Sequence, residues 1–322
     1  MAQGVRVARR FRPDVVLAGS GLTAPIAWLT ARTSGARAAV YLHGLDIVVE
    51  QVLYQTLWRP FFPRMDHVVV NSCATRNLAE QAAVPVDRLH VVPPGVSLPP
   101  PLSAAERAII AREFRDRHGL GEGPLLLSVG RLTARKGLLE FVRDVLPLVV
   151  ERIPDVRLLV IGDVPANALA ARFQTPEQIL AVAREAGMEH RIHFLGKVSE
   201  DELKAAYYAA DVLVFPLREI PGDPEGFGMV AIEAAAHRLP TVAYASGGVV
   251  DAVRNGVSGW LVPQGGTEMF ADRVIHILDG SARLAAPEEF ATHFSWPLFG
   301  SRLAAALDLM RDRCITARSQ KH

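Results

Sequence analysis

The sequence predicts an α/β protein built from two doubly wound parallel sheets. Short β-branched runs alternate with helical segments along nearly the whole chain, the pattern of strands joined by helical crossovers. The alternation breaks once, at residues 93–103, where Pro93, Pro94, Pro99, Pro100 and Pro101 exclude helix and sheet interior and make a stiff linker. At 322 residues, half of them apolar and 21% charged, the chain is long enough for two buried cores. Two such halves leave a cleft beyond their strand C-termini, where open α/β sheets bind ligands.

The elements follow in order. Residues 1–13 read as the last turns of a helix, with Arg9, Arg10 and Arg12 near its end. Those charges suit a helix C-terminus or a contact with anionic lipid headgroups; both readings stand. DVVLAG, AAVYLHG, HVVVNS and RLHVVPPG supply four strands, with helices over residues 22–33, 49–62 and 74–83 between them. After the linker, PLLLSVGR, VRLLVIGD, RIHFLGKV, DVLVFP, TVAYAS and GWLV supply six more strands. An amphipathic helix over residues 298–311 follows FSW at the end. The expected divisions are residues 1–98, 99–290 and 291–322.

A net charge of +1 gives no general attraction to nucleic acid. Cys73 and Cys314 form no metal-ligand pattern and read as reduced thiols in a cytosolic protein. No apolar run reaches the ~20 residues that span a bilayer, and no signal peptide opens the chain.

The chemistry concentrates in PLREIPGDPEGFGMVAIEAAAHRLP, residues 216–240. A turn-forming loop leaves a short strand and a helix begins near Gly228. Glu225 lies on the loop, and Glu233 just over one turn into the helix, where side chains tilt toward the N-terminus. Both carboxylates thereby reach one cleft. Gly226, Phe227, Gly228 and Met229 bring main-chain N–H groups to the helix start, an anion site that the glycines let a phosphate approach. Glu233 stands among Val230, Ala231, Ile232, Ala234, Ala235 and Ala236, so it needs a partner. A salt bridge to Arg238, and a capping role for Glu225, are the structural alternatives.

SVGRLTARKG places Arg131 and Lys136 after the second half's first strand, beside Gly130 and Gly137. Two cations there suit a diphosphate whose charge grows as it leaves. The spacing is not that of a P-loop, and solvated loop residues are the alternative. His43 ends a strand in YLHGLD, a position that also suits a structural hydrogen bond.

EGFGMVAIEAAA followed by LPTVAYASGGVVDAVRNGVSGWLV resembles the donor-sugar signature of retaining glycosyltransferases of family 4, whose two Rossmann-like domains form the GT-B architecture. The resemblance implies that Glu225 contacts the transferred sugar and Glu233 the ribose hydroxyls. It implies that Arg131 and Lys136 grip the donor pyrophosphate and that His43 lines the cleft against the sugar. Gly247 and Gly248 resemble the family's GGxxE loop, with Asp251 where Glu is usual. Gly162 and Asp163 fit a strand-end pair, and Val198 a main-chain contact to the base. Asp46 receives no role. The last helix is expected to cross back and brace the first domain.

The resemblance implies transfer of a hexose from a nucleotide diphosphate sugar, with retention, to a glycan or lipid-linked acceptor in envelope polysaccharide or glycolipid synthesis. It implies no cofactor and no metal, with the nucleotide sugar as substrate, and a cytoplasmic protein with peripheral contact at the inner membrane face. The family's first β-α unit, with its glycine-rich turn, is absent before residue 13. The first domain is therefore expected to be N-terminally truncated, so that donor binds and transfer is poor. A GT-B sugar epimerase and a nucleotide-sugar-binding remnant are the rival readings. A glycan phosphorylase would need a pyridoxal phosphate lysine and a larger chain.

Overall fold

The structure, a computed structural model, describes residues 2–49, 51–164, 172–282 and 284–319, except the side chains of residue 2 and residues 308–319. The side chain of Cys314 thus lies outside the described residues. Two compact units divide the chain: Met1–Gly95 with Pro221–Phe227 and Phe294–His322, and Val96–Ile220 with Gly228–His293. The ten expected strands all form, and every strand pair is parallel.

In the first unit β1 (Val15–Ala18), β2 (Arg37–Leu42), β3 (His67–Val70) and β4 (Leu89–Val91) lie side by side in that order. The central pair is buried from Ala38 to Leu42 and throughout β3, as a sheet covered on both faces requires. The helix Ala24–Ser34 lays Ala24, Ala27 and Ala31 against Val40, Leu42, Val68 and Val70. It stops at Gly35, whose φ of +75° makes a left-handed C-cap.

The single helix expected over residues 49–62 is not found. Two short helices, Leu45–Val48 and Val52–Leu57, lead into a 3-10 segment, Arg59–Arg64. Pro60 and Pro63 explain the change, because neither can donate a main-chain hydrogen bond to continue an α-helix. Phe62 and Met65 still fill the core.

The last helix, Trp296–Ser319, belongs to this unit. It begins earlier than expected, with Pro297 in its first turn, where no donor is needed. Phe299, Leu303 and Ala306 pack on Tyr41, Val69 and Val92. The Tyr41 hydroxyl donates to the Val92 carbonyl at 2.9 Å. A Cβ on Gly95 would come within 2.4 Å of the Trp296 ring, so only glycine lets that ring lie down.

The second unit holds β5 (Leu125–Val129), β6 (Arg157–Ile161), β7 (Ile192–Gly196), β8 (Val212–Phe215), β9 (Thr241–Tyr244) and β10 (Gly259–Val262), in the order β10-β9-β8-β5-β6-β7. The chain runs outward from β5 to β7, then returns to β5's other side. The order therefore reverses between β5 and β8, and that switch point is where such a sheet opens a crevice at its strand ends. One layer of core packs Phe141, Val145, Val149 and Phe270 on the sheet, and the other packs Phe114, Tyr207 and Leu239 on it. The helix Ala104–Arg117, not assigned from the sequence, starts with a capping box between Ser103 and Glu106. Among the described residues no helix is long and apolar enough to cross a membrane.

Candidate functional site

At the switch point the loops leaving β5 and β8 lock together. Gly130 leaves β5 at φ +145° and Gly162 leaves β6 at φ +132°. A Cβ on Gly162 would lie 1.9 Å from the Gly130 carbonyl oxygen, so the strand ends meet only because both are glycine. Gly137, at φ +69°, is likewise pressed on β8's exit: its Cβ would lie 1.9 Å from the Pro216 carbonyl oxygen. The Arg218 N–H donates to the Arg135 carbonyl at 2.8 Å. This packing delivers Lys136 to the end of β8, its Nζ 4.5 Å from the Phe215 ring centroid, a cation–π distance. Arg131 is exposed on the same loop.

A segment that sequence reading passed over braces this loop. The Ala134 N–H donates to the Arg172 carbonyl at 2.7 Å, and Gln174 N–H to Leu132 carbonyl at 3.2 Å. The Gln174 side chain accepts from Leu139 N–H at 3.2 Å and donates to Glu140 at 2.7 Å. Asp163 is exposed beside these residues, its carbonyl accepting from the Leu132 N–H at 3.1 Å. Val198 turns its side chain into the core below β7.

The helix expected near Gly228 runs Met229–Ala236, with Gly228 at its N-cap, φ +94°. The N-cap is itself a glycine and offers no side chain to cap the helix. A Cβ on Gly228 would stand 3.2 Å from both Phe215 and Val249, which explains a glycine there. Glu233 is half-buried on this helix. Its partner is not Arg238, which pairs with Glu288 at 2.9 Å; the Tyr207 hydroxyl donates to Glu233 Oε2 at 2.8 Å. Gly247, at φ +52°, and Gly248 turn the chain after β9 into the short helix Val249–Ala252, with Asp251 in its first turn.

The remaining predicted residues lie in the first unit. Glu225, Gly226 and Phe227 pack there, although the chain on either side belongs to the second. The boundary between the units falls within the stretch expected to hold an anion, between Phe227 and Gly228. Phe227 is buried against Phe294, ring centroids 5.6 Å apart. Gly226 sits on the end of β2: a Cβ would be 2.2 Å from the His43 carbonyl oxygen and 2.9 Å from Asn71 Nδ2. Asn71 Nδ2 donates to that carbonyl at 3.4 Å, and Thr75 Oγ1 to the Gly226 carbonyl at 3.5 Å. The Glu225 loop is thereby seated beside His43.

His43 is the first residue past β2 and is exposed. Its Nε2 lies 2.9 Å from the Gly19 carbonyl, which only accepts, so Nε2 carries the proton and a neutral ring offers Nδ1 as acceptor. Asp46, unassigned from sequence, fixes the main chain beneath: its carboxylate accepts the N–H groups of His43 and Gly21, each at 2.9 Å. The Tyr54 hydroxyl donates to the Asp46 carbonyl at 2.7 Å. Among the described residues no group of three or more His, Cys, Asp or Glu is placed to hold a metal ion.

Residues 123–280 match the family model described as glycosyl transferases group 1, and residues 2–98 the one described as glycosyltransferase family 4. A GDP-mannose-dependent alpha-(1-6)-phosphatidylinositol monomannoside mannosyltransferase of Mycobacterium tuberculosis is 30% identical over 306 residues, covering 90% of this chain and 75% of that protein. A D-inositol 3-phosphate glycosyltransferase of Xylanimonas cellulosilytica is 36% identical over 235 residues, 70% of this chain and 51% of that one. Among solved structures, Anabaena HepE in complex with UDP-glucose superposes with a TM-score of 0.76 at 19% identity, covering 95% of this chain and 81% of that one. Sucrose-phosphate synthase from Thermosynechococcus elongatus does so with 0.74 at 22%, covering 96% and 76%.

Proposed function

The chain belongs to the family 4 glycosyltransferases of GT-B fold, and from that premise we propose that it transfers mannose, with retention, from GDP-mannose to a lipid-linked acceptor carrying an inositol or sugar hydroxyl. The choice of donor and acceptor is supported by the mycobacterial relatives, one group named for GDP-mannose and phosphatidylinositol mannoside and another for inositol phosphate. The observation that carries the transfer reading is Lys136 held at the β5–β8 switch point by glycines that tolerate no side chain.

In this reading the diphosphate leaves with its charge met by Lys136 and Arg131. The acceptor hydroxyl attacks the anomeric carbon from the face that the diphosphate vacates, and a departing phosphate oxygen takes its proton. Glu225 and His43, on adjoining loops of the first unit, orient the sugar, and Glu233 holds the ribose. The amphipathic Arg-bearing helix Ala2–Phe11 suits a peripheral contact at the cytoplasmic face of a membrane that carries the acceptor. No metal is required, since cationic side chains already answer the diphosphate.

The test is transfer. Purified protein is offered GDP-mannose, UDP-glucose and ADP-glucose with phosphatidylinositol vesicles, and product linkage is read by NMR. An α-mannoside formed from GDP-mannose, and reduced at least tenfold by Glu225→Gln, is expected. A β-linked product overturns retention. Release of a free epimerised nucleotide sugar overturns transfer in favour of epimerisation.

A further inference from the structure

Glu233 stands out on its helix. Ala231, Ile232, Ala234, Ala235 and Ala236 around it are all buried apolar residues, and a carboxylate among them must be held in one place to be useful. Two side chains hold it. Tyr207, on the helix Glu200–Ala209 that precedes β8, is 2% exposed and donates its hydroxyl to Oε2 at 2.8 Å. His237, at the C-cap of Glu233's own helix, has Nδ1 2.8 Å from the Glu233 carbonyl, which fixes the proton on Nδ1. The two rings stack on each other, centroids 5.1 Å apart and 29° between planes. Side chain and main chain of the same residue are therefore gripped by one stacked pair.

We infer that Tyr207 is a positioning residue for nucleotide recognition: its hydroxyl occupies one oxygen of Glu233 and turns the other toward the ribose. The inference rests on the reading that Glu233 meets the ribose hydroxyls. Carboxylate geometry gives the reason. An ionised carboxylate only accepts, through two oxygens. With Oε2 engaged by a buried phenol, rotation of the carboxylate is restrained and Oε1 is left as the freer acceptor. Without the hydroxyl, Glu233 has to be ordered by the ligand itself, and that ordering lowers affinity. The phenol suits the task because it is a donor at the end of a rigid ring. Phenylalanine keeps the ring and removes only the donor.

The experiment uses the full chain and calorimetry with GDP and UDP, each beside its 2′,3′-dideoxy counterpart; the tighter pair is followed. Three variants are compared with the parent: Tyr207→Phe, Glu233→Gln and the double change. The parent is expected to prefer the ribose form about tenfold or more, as a charged hydrogen bond warrants. Tyr207→Phe should cut that preference about three- to tenfold while binding of the dideoxy form stays within twofold. In the Glu233→Gln background the Tyr207 change should cost nothing further. In transfer assays Tyr207→Phe should raise the donor KM with kcat held within twofold, as loss of uniform binding does.

If Glu233→Gln abolishes the ribose preference and Tyr207→Phe leaves it intact, the positioning role falls while Glu233 keeps its own. If Tyr207→Phe weakens both forms equally, the hydroxyl acts on the fold and the proposal fails. If Glu233→Gln leaves the preference unchanged, the reading of Glu233 fails first and this inference with it. Should Tyr207→Phe melt much lower than the parent, Tyr207→His, which retains a donor on a ring, decides: partial return of the ribose preference supports the proposal, and none opposes it.

Discussion

Asp46 holds His43 by its main chain: one carboxylate oxygen takes the His43 N–H at 2.9 Å while the other takes that of Gly21 at 2.9 Å. The loops after β1 and β2 are thus bridged by one side chain. His43 closes the same bridge from above, through Nε2 and the Gly19 carbonyl. Asp46→Asn replaces one acceptor oxygen with an amide donor, so one of the two N–H groups loses its partner, a cost of about 1–3 kcal/mol where it is buried. Transfer should drop on the order of tenfold, and nucleoside diphosphate affinity, which the proposed reading assigns to Arg131, Lys136 and Glu233, should hold. Calorimetry and steady-state kinetics check this. Unchanged turnover with a lowered Tm would make Asp46 a structural brace only.

The Glu225 loop is tested at Gly226. A Cβ there would meet the His43 carbonyl oxygen at 2.2 Å, and main chain on both sides has little room to give. Gly226→Ala should shift the loop by a fraction of an ångström to an ångström and reduce kcat by roughly ten- to a hundredfold. Gly300→Ala, where a Cβ meets nothing within 4 Å, should leave activity as it was. Equal rates for both variants would show that the seating of the loop does not matter.

Much of this was legible in sequence. Each strand of both sheets announced itself by a short, largely apolar run, because a strand buried on both faces has few other compositions open to it. The glycines at 130, 137 and 228 marked the candidate site, because each holds a positive φ that other residues rarely adopt. What stayed hidden was long-range pairing. Nothing in AAYYAADV says that Tyr207 meets Glu233, 26 residues on, since that contact depends on how two helices pack. The Asp46–Gly21 bond spans 25 residues and is hidden for the same reason. The Arg238 alternative for Glu233 failed on geometry: Arg238 lies past the helix end at φ +66°, turned toward Glu288. The proline-broken crossover at 59–64 and the Ser103–Glu106 capping box, by contrast, were written locally, yet the expectation of one helix over 49–62 and of none over 104–117 missed both.

Arg131 and Lys136 should matter for phosphate and for nothing else. Replacing either with Ala is expected to weaken nucleoside diphosphate binding by about 1.5–3 kcal/mol, the worth of a hydrogen bond to a charged group. Binding of the free nucleoside should hardly change. If these cations answer the leaving diphosphate as proposed, chelator should not affect transfer. Equal losses for nucleoside and diphosphate would remove the pair from the phosphate site. Activity lost to chelator and restored by Mg²⁺ or Mn²⁺ would show that a metal shares the work.

The last prediction concerns acid. His237 is 8% exposed, and its pKa lies below the ordinary 6.5 chiefly because burial penalises the imidazolium, with the nearby Lys204 charge acting in the same direction and the bond to the Glu233 carbonyl opposing. His193 on β7 is lowered too, by burial and by Arg157. The sign follows from proton counting. As pH falls through about 6.5 the unfolded chain takes up a proton at each histidine, while the native state, with its lowered pKa, does not until the pH is lower still. The unfolded state therefore binds more protons in that window, and stability declines as pH falls. The slope is at most about 1.4 kcal/mol per pH unit for each histidine. Above about pH 7 both contributions are complete and the profile should be flat. His237→Asn keeps an N–H donor near the Glu233 carbonyl and removes the titrating ring, so it should lower stability at every pH yet flatten the slope below 6.5. Urea unfolding at intervals from pH 5.5 to 7.5 measures both quantities. A parent and a variant with the same slope would mean that His237 takes its proton as readily in the fold as out of it, against the burial described here.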